Sequence, residues 1–456
     1  MESFDLVPFI KKNWHSNVGI LIAELALLFL LATIANLLIV PIVYAIALIF
    51  IGLVSLFVFW IFTNKSPKTP QNKIGFLVSI YCSNEQDQLK VKEDLLVPLK
   101  QHIQAGQTGK LFHFMELQQH HAELCLDNEQ AQKIRLESGA HYMLFGRVRK
   151  RTLDDGKIHY LFEFEGAVSH STIAENTSKT LSNEFAELLP RKVQILAEND
   201  LLSFQFTSEW AGIVAKYIIG VAAACSGDVV YAEKLYDDVL QRLNSQNTNF
   251  PVFAKLRERL PIRKAEIYEA IATAHHRDWA NSYNPECINN VYEWIEKIDP
   301  TQKNRPGVHN LYAICAFVMN KDVDKAIDYI KKLEQSNNPV WNLNMAFLYG
   351  YKGDLKQSIR QYRAAAQLSL EIETINQVEG FINWAIEAAP EVIHLNYCLG
   401  FFNWQIRGDC PLAKKNFEKF LSLCVNGEYN KELELTTKWI AQIDKQIQNA
   451  QLQVSS

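Results

Sequence analysis

The sequence predicts three architectures in series: a two-helix transmembrane hairpin, a small α/β domain of order β-α-β-α-β-β-α, and an all-α helical-repeat array. Three observations predict it. Nearly all the extreme hydrophobicity lies in residues 18–63. Residues 73–200 intersperse short apolar runs with helically spaced leucines, and residues 201–446 are helical in period with Pro and Gly confined to turns. The 456 residues are 48% hydrophobic and 21% charged, a globular mixture that excludes disordered, collagenous and mucin-like classes. With 46 basic against 50 acidic side chains the formal charge is −4, so no long-range positive field recruits nucleic acid.

The hairpin comprises helices over 18–38 and 42–63 within a segment 1–64. Each is about 21 residues, and at ~1.5 Å per residue that matches a hydrocarbon core of ~30 Å. Asn36 and Pro41 mark the stop and restart between them. A signal peptide is excluded because the apolar run is too long and lacks an Ala-x-Ala exit. Lys11 and Lys12 precede the first helix, Lys65, Lys68 and Lys73 follow the second, and the turn is uncharged. The positive-inside rule then predicts both termini in the cytoplasm, with Trp14 and Trp60 as an interfacial belt on that side of a bacterial inner membrane. Eight scattered cysteines without a CxxC pair suit a reducing compartment. Glu24, the one ionisable residue of the first helix, is a candidate for membrane or subunit contact.

After a stiff linker at 65–72, strands are predicted over 73–81, 110–117, 142–149 and 158–170, and helices over 86–104, 128–138 and 178–197. Asp154-Asp155-Gly156 gives the hairpin turn. The runs Lys73-Ile-Gly-Phe-Leu-Val-Ser-Ile80 and Glu137-Ser-Gly-Ala-His-Tyr-Met-Leu-Phe-Gly-Arg-Val148 resemble the amino-terminal domain of TolB and its relatives, with His141 in place of the usual acidic residue. The resemblance implies a recognition module without chemistry of its own.

Seven histidines fall in this domain (His102, His113, His120, His121, His141, His159 and His170), but none stands at HxxxH or HExxH spacing, so no metal site is expected. Arg147, Arg149 and Arg151 alternate along one strand and share a face, a candidate for an anion or lipid headgroup. Gly106-Gln-Thr-Gly109-Lys110 fails as a phosphate loop: its glycine spacing is too short and Leu111 stands where Ser or Thr is needed.

In residues 201–446 a turn recurs, followed by a small residue and then an aromatic or apolar residue four further on. The units carry Gly220, Gly227-Asp228, Ala232 and Tyr236; Lys321-Asp322, Ala326 and Ile330; Trp341, Tyr349, Gly353-Asp354, Ser358, Tyr362 and Ala365; and Gly408-Asp409, Ala413 and Phe417. A degenerate fifth spans 262–300, with Tyr292 at the aromatic position, and an extra helix is expected around 371–389. These units resemble tetratricopeptide repeats. The resemblance implies a solenoid offering a groove to a protein partner or a second copy of the chain. Residues 201–456 hold 27 Lys/Arg and 29 Asp/Glu, a balance unlike that of a nucleic-acid-tracking surface. His275-His276-Arg277-Asp278-Trp279 reads as a helix end with cations near its dipole, and 447–456 as a flexible tail.

No catalytic signature occurs, adjacent carboxylates such as Asp237-Asp238 diverge on a helix, and neither cofactor nor metal is expected. The leading expectation is a membrane-anchored cytosolic scaffold that binds a protein partner or itself. An oligomerising membrane effector of stress or phage-defence type is the first alternative, and a small-ligand sensor through the α/β domain the second.

Overall fold

In the computed structural model two apolar helices come first, α1 (Asn17–Leu37) and α2 (Ile42–Thr63). Described are residues 14, 16–38, 41–125, 127–152, 156–170, 174–188, 192–196, 200–245, 251–333, 338–424 and 429–454. Lys11, Lys12, Asp154 and Asp155 lie outside them. Ser16 caps α1 by accepting from the Gly19 amide at 3.0 Å, as an N-cap must to satisfy an orphan donor. On α2, Gly52 leaves room for Leu31: a Cβ there would stand 2.8 Å from its Cδ1. Most of the large apolar side chains on both helices are exposed, as suits helices long and apolar enough to cross a membrane.

The chain divides into two compact units, Met1–Glu258 and Arg259–Ser456. In the first, a mixed sheet of order β2-β1-β3-β4-β5 is built from β1 (Ile74–Cys82), β2 (Phe112–Glu116), β3 (Tyr142–Thr152), β4 (Ile158–Val168) and β5 (Lys192–Leu196). β1 runs parallel to β2 and β3, while β4 is antiparallel to β3 and β5. The intervening helices are α3 (Glu85–Val91), continued through a π turn at Lys92–Leu96 into α4 (Val97–Gln104), α5 (Gln119–Leu124), α6 (Asn128–Ser138) and α7 (Glu175–Leu188). Leu77, Met115, Met143, Phe145 and Ala167 form a core on one face with Cys125 and Ala131. On the other face lie Phe76, Val78, Tyr142, Leu144 and Phe162, all buried.

Two expectations are corrected here. The last helix of this domain stops at Leu188, and Lys192–Leu196 adds a fifth strand on β4 where helix was expected to run to 197. The first unit also runs well past residue 200. It takes in α8 (Asp200–Cys225) and α9 (Val229–Ser245), the hairpin read from sequence as the first repeat. The reason is α8 itself. Its stretch Thr207–Cys225 passes as a membrane span on length and composition, yet is 78% buried, against 17% and 0% for α1 and α2. A helix apolar all round must be covered, and α8 is covered by the sheet domain: Phe204 meets Tyr160 and Phe162 edge-on at 5.4 and 5.1 Å, and Gly212 lies under His102.

The second unit is entirely helical among its described residues. It begins within α10 (Pro251–Ser282) and continues with α11 (Pro285–Glu296), α12 (Pro306–Asn320), α13 (Val323–Lys331), α14 (Pro339–Lys352), α15 (Leu355–Ala366), α16 (Ile372–Ala388), α17 (Leu395–Phe402) with a π turn at Asn403–Arg407, α18 (Cys410–Leu423) and α19 (Asn430–Val454). The expected tail at 447–456 is therefore helical as far as Val454, with Ile447 still packed on the core. α16 is the extra helix expected near 371–389.

Candidate functional site

Four helical hairpins share one turn, and the sequence dictates it. In α8/α9, α12/α13, α14/α15 and α17/α18 the first helix ends at a residue with positive φ: Gly227 (85°), Lys321 (54°), Gly353 (88°) and Gly408 (78°). Glycine enters this left-handed region without steric cost; Lys321 is the departure. The next residue is always aspartate, and Asp228, Asp322, Asp354 and Asp409 each accept from the amide three residues on, at 2.9–3.1 Å. Four residues after each aspartate stands a wholly buried small residue, namely Ala232, Ala326, Ser358 or Ala413. Four further on comes a buried Tyr236, Ile330, Tyr362 or Phe417.

Close approach explains the small residues. A Cβ on Gly220 would stand 2.6 Å from the Tyr236 ring, one on Gly400 2.6 Å from Phe417, and one on Gly350 2.8 Å from Cys398 Sγ and 3.1 Å from Ser358 Oγ. Tyr349 is half-buried and packs on the same core, as does Trp341. Tyr292 departs from its expected place. It is 42% exposed, and Val291 and Ile295 are the residues α11 buries instead. The cluster at 275–279 is not a helix end either, since α10 runs on to Ser282. Trp279 is 3% exposed and packs edge-on against Phe381 and Trp384 of α16 at 5.9 and 5.5 Å. Phe381 also meets Phe317 and Phe347, so α16 lies on the first helices of two hairpins.

The hairpin α8/α9 is clasped to the sheet domain by a buried ionic network. Lys216 Nζ donates to Asp238 Oδ2 at 2.6 Å and to the Ala105 carbonyl at 2.8 Å, and Thr108 Oγ1 donates to the same carboxylate at 2.7 Å. The lysine side chain is 0% exposed and the aspartate 3%. Arg242 stands 3.7 Å away. The loop 106–110 thus has a use: Gly106 at φ 83° lies so close under Asp238 that a Cβ would stand 2.2 Å from Oδ1. The one signal in the sequence is Lys216 as the single charge between Glu209 and Asp228, since a charge on a buried helix needs a partner.

Burial pulls the Lys216 ammonium down to about 8, against the opposing effect of the hydrogen bond it donates to Asp238. Between that value and the unfolded value of about 10.4, the unfolded chain holds a proton that the fold has released. This group therefore adds stability as pH rises from about 8 towards about 10.4, and its penalty is constant at lower pH. Urea midpoints measured near pH 7 and near pH 9.5 should rise for the wild type relative to a Lys216→Met/Asp238→Leu variant.

At the hairpin's open end the two tryptophans meet. Trp60 Nε1 donates to the Trp14 carbonyl at 2.8 Å, Trp14 Nε1 to Thr63 Oγ1 at 3.3 Å, and Thr63 Oγ1 back to the Trp60 carbonyl at 3.0 Å. Lys65 and Lys68 are exposed just beyond. Glu24 is half-buried, with no hydrogen bond or ion pair among the described residues. One carboxylate, Glu163, neutralises the arginine face in part. Arg147 Nε donates to Glu163, its cross-strand partner, and Arg149 reaches the same carboxylate at 3.8 Å, leaving Arg151 exposed. Among the described residues no three His, Cys, Asp or Glu converge on a point. Burial pushes the thiols of Cys82, Cys315 and Cys398 up to about 12 and that of Cys125 to about 11, the reverse of what an activated nucleophile requires. No protein-family model matches this chain, and no curated protein matches it.

Proposed function

We propose that this protein is a membrane-anchored scaffold whose helical hairpins form a tetratricopeptide-like array for a protein partner or a second copy of itself. The observation that carries the reading is one turn that recurs three times in the second unit and once more in α8/α9 of the first: positive-φ residue, aspartate cap, buried small residue at +4, buried aromatic or apolar residue at +8. Repeated units of this kind stack to bury what one alone cannot, and they present extended surfaces. Two helices of spanning length on the same chain supply the anchor, and tethering raises the effective concentration of whatever the array holds. The lysines flanking the hairpin support cytoplasmic placement of both termini at a bacterial inner membrane, and the TolB-like sheet domain serves as a recognition module of its own.

Large apolar side chains left exposed on the second unit mark where to look: Tyr292 (42%), Val340 (40%) and Ile372 (68%). A photo-crosslinking residue at each, in the full chain in intact cells, is expected to give a discrete adduct at one position or more. Failure at all three contradicts the array as a binding surface. A second reading, self-association within the bilayer by an effector, draws on Glu24, a half-buried carboxylate without a hydrogen bond or ion pair among the described residues. Loss of oligomers in Glu24→Leu favours it.

A further inference from the structure

A cavity of 320 Å³ opens in the first unit between the end of β4, α7 and α8, at the small end of the range of ligand sites, ~300–1,000 Å³. Its lining is mixed, and the apolar side is made by Phe164, Ile218 and Val221, 1–3% exposed, with Phe185 beside them. Asn128, Gln132, Glu165, His170 and Ser182 supply its polar side. Tyr142 lines it as well. That side chain is 1% exposed, held by the Phe76 ring at 5.2 Å, and its hydroxyl has no partner among the described residues. Native folds seldom leave a buried hydroxyl unsatisfied, because its lost hydration is not recovered.

Charge narrows the class of ligand. Among the described residues no lysine or arginine lines the cavity and His170 is its one basic side chain, so an anion would find little counter-charge. Glu165 is exposed and forms no ion pair among the described residues, so a donor or cation is favoured beside it. From this geometry we infer a small-molecule site for an uncharged or cationic aromatic ligand. Its ring packs among Phe164, Phe185 and Ile218, an oxygen accepts from the Tyr142 hydroxyl, and a donor faces Glu165. The inference is independent of the scaffold reading.

Thermal unfolding of the full chain in lipid nanodiscs tests it, with tyramine and adenosine as probes and 4-hydroxyphenylacetate and AMP as their anionic counterparts. A ligand that binds only the folded state raises the melting temperature in proportion to the logarithm of its concentration. The site predicts such a rise with tyramine or adenosine and a smaller one, or none, with the anions. Tyr142→Phe should melt at or above the wild type, having lost only an unpartnered hydroxyl, and should lose the probe-induced rise. Ala222→Leu, which narrows the cavity and keeps Tyr142, should lose it too. The inference is overturned if neither tyramine nor adenosine shifts the melting temperature, if all four probes shift it alike, or if the shift survives in both variants.

Discussion

Asp238→Ala is expected to destabilise the first unit by about 3–5 kcal/mol, the usual result of leaving one partner of a buried ion pair uncompensated. The lysine it abandons is fully buried and would keep the Ala105 carbonyl and the Phe112 ring face at 5.8 Å but no opposing charge, while Thr108 Oγ1 would lose its acceptor. Asp237 next to it is exposed, so Asp237→Ala should change stability by no more than about 0.5 kcal/mol. The double change Lys216→Met/Asp238→Leu removes both charges and should restore most of the loss, because an apolar pair of similar volume avoids desolvation altogether. Denaturant unfolding of the full chain in detergent, with intrinsic fluorescence as the readout, checks all three. Equal losses from Asp237→Ala and Asp238→Ala would show that the carboxylate is not buried against Lys216.

Trp279→Ala should cost the second unit about 3–5 kcal/mol, the range for emptying a packed aromatic site. The indole meets Tyr283, Phe381 and Trp384 edge-on, and these rings join α16 to α10. Loss of the indole also frees the stacked pair of Tyr283 and Trp384, 5.4 Å apart and 4° from parallel. Tyr292→Ala, at the position that repeat logic would rank as core, should lie within about 0.5 kcal/mol of the wild type. Thermal unfolding of the two variants separates an alignment of repeats by sequence from the packing observed.

Comparing these residues shows what the chain discloses and what it withholds. Hydropathy alone locates α1 and α2 to within a residue or so, because a bilayer imposes a length that few other environments demand. The strands β1 to β4 are legible as short apolar runs, and the aspartate turns because a left-handed residue and a cap leave a local signature. α8 was misplaced for a physical reason: an all-apolar helix fits a repeat, a membrane or a sheet face equally well, and only its neighbours decide. β5 was hidden by being a five-residue edge strand held by pairing with β4. The clasp joins residues 22 and 130 positions apart, a convergence that no local pattern encodes. The cavity was invisible for the same reason, since its walls come from three helices and two strands. Alternation puts Arg147, Arg149 and Arg151 on one face, but it does not disclose that the single carboxylate of Glu163 on the facing strand pairs with two of them.

Native mass spectrometry of the tagged full-length protein, released from membranes in a mild detergent, tests the scaffold reading most directly. A stoichiometric complex is predicted, either with one other protein or with a fixed number of copies of this chain. Recovery of the bare monomer at every protein concentration tried, with nothing else bound, would contradict it.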